Sequence, residues 1–286
     1  MRVQAQEPPL RVVRAFELAD GAALVHLHNL SGGVLGGDRL EMAVEVGPAA
    51  RAQLTSTSAT RIYRSRGPDL TAQQLNQFWV GENGLLEYLP DQLIPFAGSR
   101  YVQKSRIELA PGAGLFWWEI VAPGREASGE IFDYALLQTN LEISVQGKPI
   151  LLERTRLEPK EAGQKLESLA RLGPYRYFAS FYVCRVGLPA NQWLALESEL
   201  GELAARLTRP GQSLWGVSSL TAHGLAIRAL SLHSKDLSPG LLAFWQATSL
   251  CWAARACPGH RFGGAIMPVD PCIAGSCHGG NSMGNC

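Results

Sequence analysis

The chain has 286 residues, of which 46% are apolar, 18% charged and 8% aromatic, and its formal net charge is +1. That length supports a sizeable core, as one large domain or two small ones. The balance of 26 basic and 25 acidic residues excludes a basic nucleic-acid footprint and gives no polybasic membrane anchor. Such sparse, balanced charge protects poorly against association, so the surface reads as one built to sit against partners.

No apolar stretch follows Arg2, so no signal peptide is expected. The longest apolar candidate, Leu241 to Ala256, is broken by Gln246 and Arg255, which argues against a membrane span. Cys184 stands alone, and the other five cysteines fall between Cys251 and Cys286. That is not the disulfide framework of a secreted domain. The expected setting is cytoplasmic.

From Arg11 to about Arg156 the pattern is β. His26 to Leu30 alternates, and Leu40 to Val46 has an apolar residue at every second position. Turn signals punctuate this half at Ser31-Gly32-Gly33, Gly36-Gly37-Asp38, Gly47-Pro48, Glu82-Asn83-Gly84, Pro111-Gly112 and Gln146-Gly147. A weak repeat runs through it. VGPAARAQL from Val46, VGENGLLEY from Val80 and LAPGAGLFW from Leu109 each end a strand, turn through small residues and start another. VQGKPILLE from Val145 is a looser fourth copy, and the spacings are 34, 29 and 36 residues. Strand-turn-strand units at such a period suggest stacked coils, with ordinary hairpins in a sandwich as the alternative.

Beyond Arg156 the texture changes. Glu158 to Arg171 is polar and loop-like, and Tyr175 to Val186 reads as a strand. Glu197 to Thr208 reads as a helix with Leu200, Leu203, Ala204 and Leu207 on one face, ended by Pro210-Gly211. Ser238-Pro239-Gly240 reads as a break before a second helix from Leu241 to about Ala256. After Pro258 there is no periodicity, and a loose tail is expected.

Several chemistries find no support. The only Gly-Lys pair, Gly147-Lys148, is followed by Pro149, so there is no phosphate loop. GGVLGGD at Gly32 to Asp38 does not fit a dinucleotide fingerprint, and no zinc-protease or serine-hydrolase motif is present. His26 and His28 share one face of a strand, which reads either as a metal pair or as half-exposed surface. The hydroxyl-rich stretch from Thr55 to Ser65 reads either as an anion site or as a strand with cross-strand hydroxyl pairs. Asp38 and the acids inside apolar runs are more unusual: Glu87 in LLEYLP, Glu119 in FWWEIV and Glu153 in ILLERT. A carboxylate taken out of water must be paired, hydrogen-bonded, protonated or bound to a cation. One reading pairs these acids with Arg125 or Arg154; the other makes an internal polar path for a cation. The tail carries Cys257, His260, Cys272, Cys277, His278 and Cys286, soft ligands at a spacing that matches no standard finger.

Five blocks in order resemble the UreD (UreH) urease accessory family. They are SGGVLGGDRL from Ser31, LTSTSATRIYRS from Leu54, LLEYLPDQLIPFAGSR from Leu85, WEIVAPGREASGEIF from Trp118 and PILLERTRL from Pro149. The motif residues are Gly36, Gly37 and Asp38 in the first block, then Thr60, Tyr63 and Arg64, then Glu87, then Arg125 and Glu130, then Arg154. The resemblance covers about residues 9 to 157 and is looser to about 256. It implies a mainly β fold, a β-helix-like stack of strands with a few helices toward the C-terminus. It implies a single β-rich domain over 1–256, with 257–286 as a disordered tail. It implies no enzymatic activity and no tightly bound cofactor. The implied role is a urease maturation scaffold that bridges UreF and the GTPase UreG to apo-urease and helps convey nickel. Asp38, Glu119 and Glu153 match the acidic positions of the family's proposed nickel route. Two departures stand out: the N-terminus looks short, and CPGHRFGG onward replaces the usual closing strand. That end reads as a metal-binding extension or as a frameshifted end. The rival functions are a β-helix enzyme acting on polysaccharide, which needs an exposed carboxylate pair, and a metal store using the tail.

Overall fold

A computed structural model describes residues 1–67, 69–161, 166–168 and 170–256, with the backbone alone from 250 onward. The tail expected over 257–286 lies outside the described residues. The strands, in chain order, are β1 (Leu10–Glu17), β2 (Ala23–Asn29), β3 (Arg39–Val46), β4 (Arg51–Ser56), β5 (Thr60–Ile62), β6 (Ala72–Val80), β7 (Leu85–Tyr88), β8 (Leu93–Pro95), β9 (Arg100–Leu109), β10 (Gly114–Val121), β11 (Leu136–Val145), β12 (Lys148–Leu157) and β13 (Tyr177–Arg185). Helix α1 (Ala190–Leu207), strands β14 (Ser213–Ser219) and β15 (Gly224–Ser231), and helix α2 (Ser234–Ala256) complete the order.

The chain winds between two sheets. Sheet A has the order β1-β2-β4-β7-β10-β13-β15-β14, with β5 and β8 beside it. Sheet B has the order β12-β11-β9-β6-β3. Successive visits to each sheet pair in parallel: β2 with β4, β4 with β7 and β7 with β10 in sheet A; β3 with β6, β6 with β9 and β9 with β11 in sheet B. This is a stack of coils, the β-helix-like architecture expected. The repeat in the sequence is its register. Val46 lies opposite Val80, Val80 opposite Leu109, and Leu109 opposite Val145.

The short corners from sheet B to sheet A explain the small residues of that repeat. Gly81 N–H donates to the Val46 carbonyl at 2.7 Å, and Ala110 N–H donates to the Val80 carbonyl at 3.0 Å. A Cβ at Gly81 would lie 2.8 Å from the Pro48 nitrogen. Coils stacked that closely leave no room for a side chain. The fourth, looser copy is different in kind: Gln146 and Gly147 turn back into the antiparallel β11–β12 hairpin, which ends the winding. The β1–β2 hairpin extends sheet A at the other end.

Strand β10 is apolar at seven of eight positions because both its faces are covered. Phe116, Trp118 and Ile120 pack outward against Trp193, Leu196 and Leu200 of α1 and Leu237, Leu241 and Phe244 of α2. Leu115 and Trp117 face inward with Phe78 and Ile107 of sheet B. Only Glu119 breaks the run. The antiparallel strands β13, β15 and β14 widen sheet A beneath the helices.

Two expectations need correction. The first helix begins at Ala190, not Glu197, because Trp193 and Leu196 bury a further two turns, and Pro189 sets its start. The break at Ser238-Pro239-Gly240 does not occur: α2 runs from Ser234 through Pro239. Gly240 is there because a Cβ would collide with the Trp215 indole. Residues between the helices form β14 and β15, which no sequence signal marked.

The corner geometry separates two glycines. Gly81→Ala should lower stability by about 1–3 kcal/mol through overpacking. Gly47→Ala, which meets nothing within 4 Å, should stay within about 0.5 kcal/mol of the parent. Urea unfolding measures both, and equal costs would contradict the stacked-corner account.

Candidate functional site

Inward side chains of sheet B fall into rows across the strands, because alternate residues share a face. Toward the short corners the rows are apolar, with Phe78, Ile107 and Ile143 and then Val80, Leu109 and Val145. Toward the long corners they are apolar again, with Ala72, Tyr101 and Leu137. Between these two cores lie two polar rows. Gln74, Gln103, Thr139 and Thr155 stand side by side across β6, β9, β11 and β12, and next to them Asn76, Ser105, Leu141 and Glu153. Sheet A answers with Glu119, Ser180 and Arg228 side by side on β10, β13 and β15. A polar belt therefore runs through the interior along the stacking direction from β6 to β12 and stops short of β3, where Leu40 and Met42 hold the same levels.

Hydrogen bonds join its members. Gln103 Nε2 donates to Glu119 Oε1 at 2.7 Å. The Tyr101 hydroxyl contacts Gln74 Oε1 at 2.7 Å and Gln103 Oε1 at 3.1 Å. Gln74 Nε2 donates to Asn76 Oδ1 at 2.9 Å, and Asn76 Nδ2 to Ser105 Oγ at 3.1 Å. Arg228 closes the belt between the sheets. Its guanidinium donates to Glu153 at 2.6 and 2.5 Å and to Ser180 Oγ at 2.5 Å, and it lies 5.1 Å from the centre of the Tyr182 ring. The Tyr182 hydroxyl is buried beside the belt without a hydrogen-bond partner. A cavity of about 290 Å³ opens instead on the outer face of sheet B, where Lys104, Arg106, Asn140, Glu142, Leu152 and Arg154 line it.

Burial pushes the Glu119 carboxyl up to about 7, and the charge of Glu153 adds to that; Trp117, Gln103 and Arg228 act against it. Tyr88 and Tyr101 are raised by burial, and Glu119 contributes to both. The belt therefore carries its negative charge reluctantly. Its donors are carboxylate, amide and hydroxyl oxygens, a set that suits hard cations and holds nickel only weakly. Among the described residues, no group of three His, Cys, Asp or Glu side chains is placed to hold a metal ion.

Of the three acids expected on a nickel route, Glu119 and Glu153 meet in the belt. Asp38 does not. It sits in the long corner before β3, where its Oδ2 accepts the Leu35 N–H at 2.8 Å, and it shapes that turn. The expected arginine partners are also different. Arg125 pairs with Glu130, and Arg154 lies one residue off the inward row, on the other face of β12. The partner of Glu153 is Arg228, a lone base in an apolar run that the logic applied to the acids would have found. Glu87 faces outward from sheet A, where Trp245 Nε1 donates to it at 3.1 Å and burial pushes it up to about 7.

Most remaining motif residues converge on the long corners. Tyr63 contacts the Gly32 carbonyl at 3.3 Å through its hydroxyl and packs edge-on against Phe96. The Arg125 guanidinium lies 4.3 Å from the centre of the same Phe96 ring. Glu130 also accepts the Ala97 N–H at 3.0 Å, and the charge-assisted bonds from Arg125 hold its carboxyl below the usual range. Gly36 abuts Ser65, Gly37 takes a left-handed φ of 93°, and the Arg64 stem lies over Gly98. Thr60 N–H donates to the Gln92 carbonyl at 2.9 Å. These residues fasten one coil to the next. The hydroxyl-rich stretch does likewise: Thr55 Oγ1 donates to the Leu89 carbonyl and Ser56 Oγ accepts from Asp91 N–H, both toward the following coil. His26 packs on Phe16 with ring centres 5.7 Å apart.

The family model described as UreD urease accessory protein matches residues 1–261. A Herpetosiphon aurantiacus protein named urease accessory protein UreD is 51% identical over 246 residues, covering 86% of this chain and 85% of the relative. Proteins of the same name from Deinococcus radiodurans and Pseudomonas entomophila are 36% identical over 221 residues and 33% over 264. They cover 77% and 92% of this chain, and 73% and 83% of their own lengths. The stacked coils, the fastened corners and the belt are thus features of a chain that belongs to the UreD urease accessory protein family.

Proposed function

We propose that this chain is a cytoplasmic, non-catalytic maturation factor that bridges the UreF–UreG GTPase complex to apo-urease and passes nickel along its polar belt. Family membership implies a role in urease maturation; the finer reading rests on one observation, the oxygen-lined belt holding Glu119 and Glu153 between two apolar cores. Weak oxygen donors suit transit, because an ion must leave as readily as it enters. Glu119 and Glu153 attract the cation, and Gln74, Gln103, Tyr101 and Ser105 offer it oxygens along the way. Asp38 stands apart from this path as the shaper of a corner, and nickel contact there is not part of the proposal.

The outward face of sheet B supports the scaffold half of the reading. Among the described residues the helices pack on sheet A, while Trp79 and Leu152 on sheet B are 45% and 61% exposed. A polysaccharide-acting enzyme would need its carboxylates in an open groove, whereas both sheets wall in Glu119. Storage by the tail concerns residues outside those described.

Glu119→Gln with Glu153→Gln preserves shape and removes charge. In cells carrying urease and all accessory proteins, this variant should still co-purify with UreF and UreG. The nickel content of urease, read by elemental analysis, should fall several-fold. Normal nickel loading would refute the belt as a route.

The belt also makes stability depend on pH. Glu119 is faced by Glu153, Arg228, Tyr88, Tyr101, Gln103 and Trp117. Because its folded pKa is raised to about 7 from 4.5, the folded chain holds a proton that the unfolded chain has released. Its contribution is complete below about pH 4.5 and is lost as pH rises through about 7, with a ceiling of roughly 3 kcal/mol. Glu87 acts in the same direction. Glu119→Gln should therefore flatten the decline between pH 5 and 7 and exceed the parent in stability at pH 8. Thermal unfolding across that range checks it.

A further inference from the structure

We propose that Arg228 is the resident counter-ion of the belt, holding Glu153 until an incoming divalent cation takes its place. This rests on the transit reading and adds the group that controls it. The guanidinium binds both Glu153 oxygens from the opposite sheet and bonds Ser180 as well. A free carboxylate between two sheets would be costly, and this pair removes that cost. Yet a fixed positive charge beside Glu119 and Glu153 also repels any cation that approaches them.

An arginine cannot yield by losing its proton. It must move. Its side chain is 46% exposed against 23% for Glu153, so the base has solvent to turn into while the acid stays in place. The flat face of Tyr182 supports the guanidinium in its inward position. A divalent ion enters beside Glu153 as the guanidinium turns outward, so the carboxylate is never left without a counter-charge. The same competition keeps cation affinity low, because each ion that binds must first displace a bidentate ion pair. The wild-type chain is therefore tuned against retaining its cargo.

The test uses the full-length chain and nickel ions alone, followed by equilibrium dialysis at pH 7.5. Arg228→Gln leaves Glu153 without its partner and should bind nickel at least tenfold more tightly than the parent. Adding Glu153→Gln should return the affinity to the parental level. Residues 257–286 are the same in every variant, so any nickel they hold cancels in the comparison. An Arg228→Gln chain with a native circular dichroism spectrum and unchanged nickel affinity would overturn the proposal. So would a gain that survives Glu153→Gln. If Arg228→Gln does not fold, Arg228→Lys keeps the charge and loses the fork. A folded Lys variant should gain affinity a few-fold, and no gain would again overturn the proposal. Failure of the transit reading is seen separately, as normal nickel loading by the Glu119→Gln, Glu153→Gln double variant.

Discussion

Parallel stacking places each inward side chain against its equivalents one coil before and after. That register is the constraint from which the rest of the structure follows. In sheet B the pairings Val46–Val80, Val80–Leu109 and Leu109–Val145 fix it at one end of the strands. Once it is fixed, the period of two decides what each row contains. Apolar rows accumulate into cores. A polar residue at one inward position needs partners, and the partners nearest to hand are the residues at the same level in adjacent coils. Gln74 and Gln103 are paired in this way, as are Asn76 and Ser105. The belt is thus a consequence of stacking as much as of any individual side chain.

Stability and the belt pull in opposite directions. An apolar Glu119 would complete the buried run of β10 and join the cores on either side of it. As it stands, the carboxyl is held by Gln103 and kept partly protonated by burial near neutral pH. A half-exposed ion pair such as Glu153–Arg228 offers little net stabilisation against well-packed apolar groups. The tightly hydrogen-bonded corners and the aromatic cluster between the sheets supply the compensation. Trp117 stacks on Tyr88 with ring centres 4.2 Å apart and meets Phe78 edge-on at 5.1 Å, directly beside the belt. Rigid rings on one side hold the polar residues in position by packing against them.

The sequence made the stack legible because its corners repeat. Spacings of 34, 29 and 36 residues coincide with the register of sheet B, and small residues mark the places where coils come closest. Unequal spacing did not mislead, since the extra residues lie in the long corners and leave the ladder undisturbed. The acids Glu119 and Glu153 were legible as charges in apolar runs. Arg228 was missed although it sits in just such a run, and Gln74 and Gln103 were missed because uncharged amides in a strand raise no alarm. The helix boundaries failed for another reason. Pro239 and Gly240 are breakers by local propensity, but the fit of Gly240 against Trp215 is a tertiary fact that no local reading contains.

The corner residues and the belt residues divide the family motifs into two kinds. Tyr63, Arg64, Arg125 and Glu130 lie in exposed or half-buried loops, yet each also makes a contact with a neighbouring coil. An exposed motif of this sort invites a reading as a binding surface, whereas its bonds show it tying the long corners together. Those ties matter to the belt. The long corners are the variable part of each coil, and any slip in them would shift one strand of sheet B against the next. A shift of one residue would turn Gln74 or Gln103 to the outer face, and in β9 it would bring Lys104 and Arg106 inward. A corner held by Arg125, Glu130 and Phe96 therefore protects the alignment of an interior it never touches. The oxygens of the belt can remain weak donors, individually replaceable, because their order is enforced from the edge of the stack.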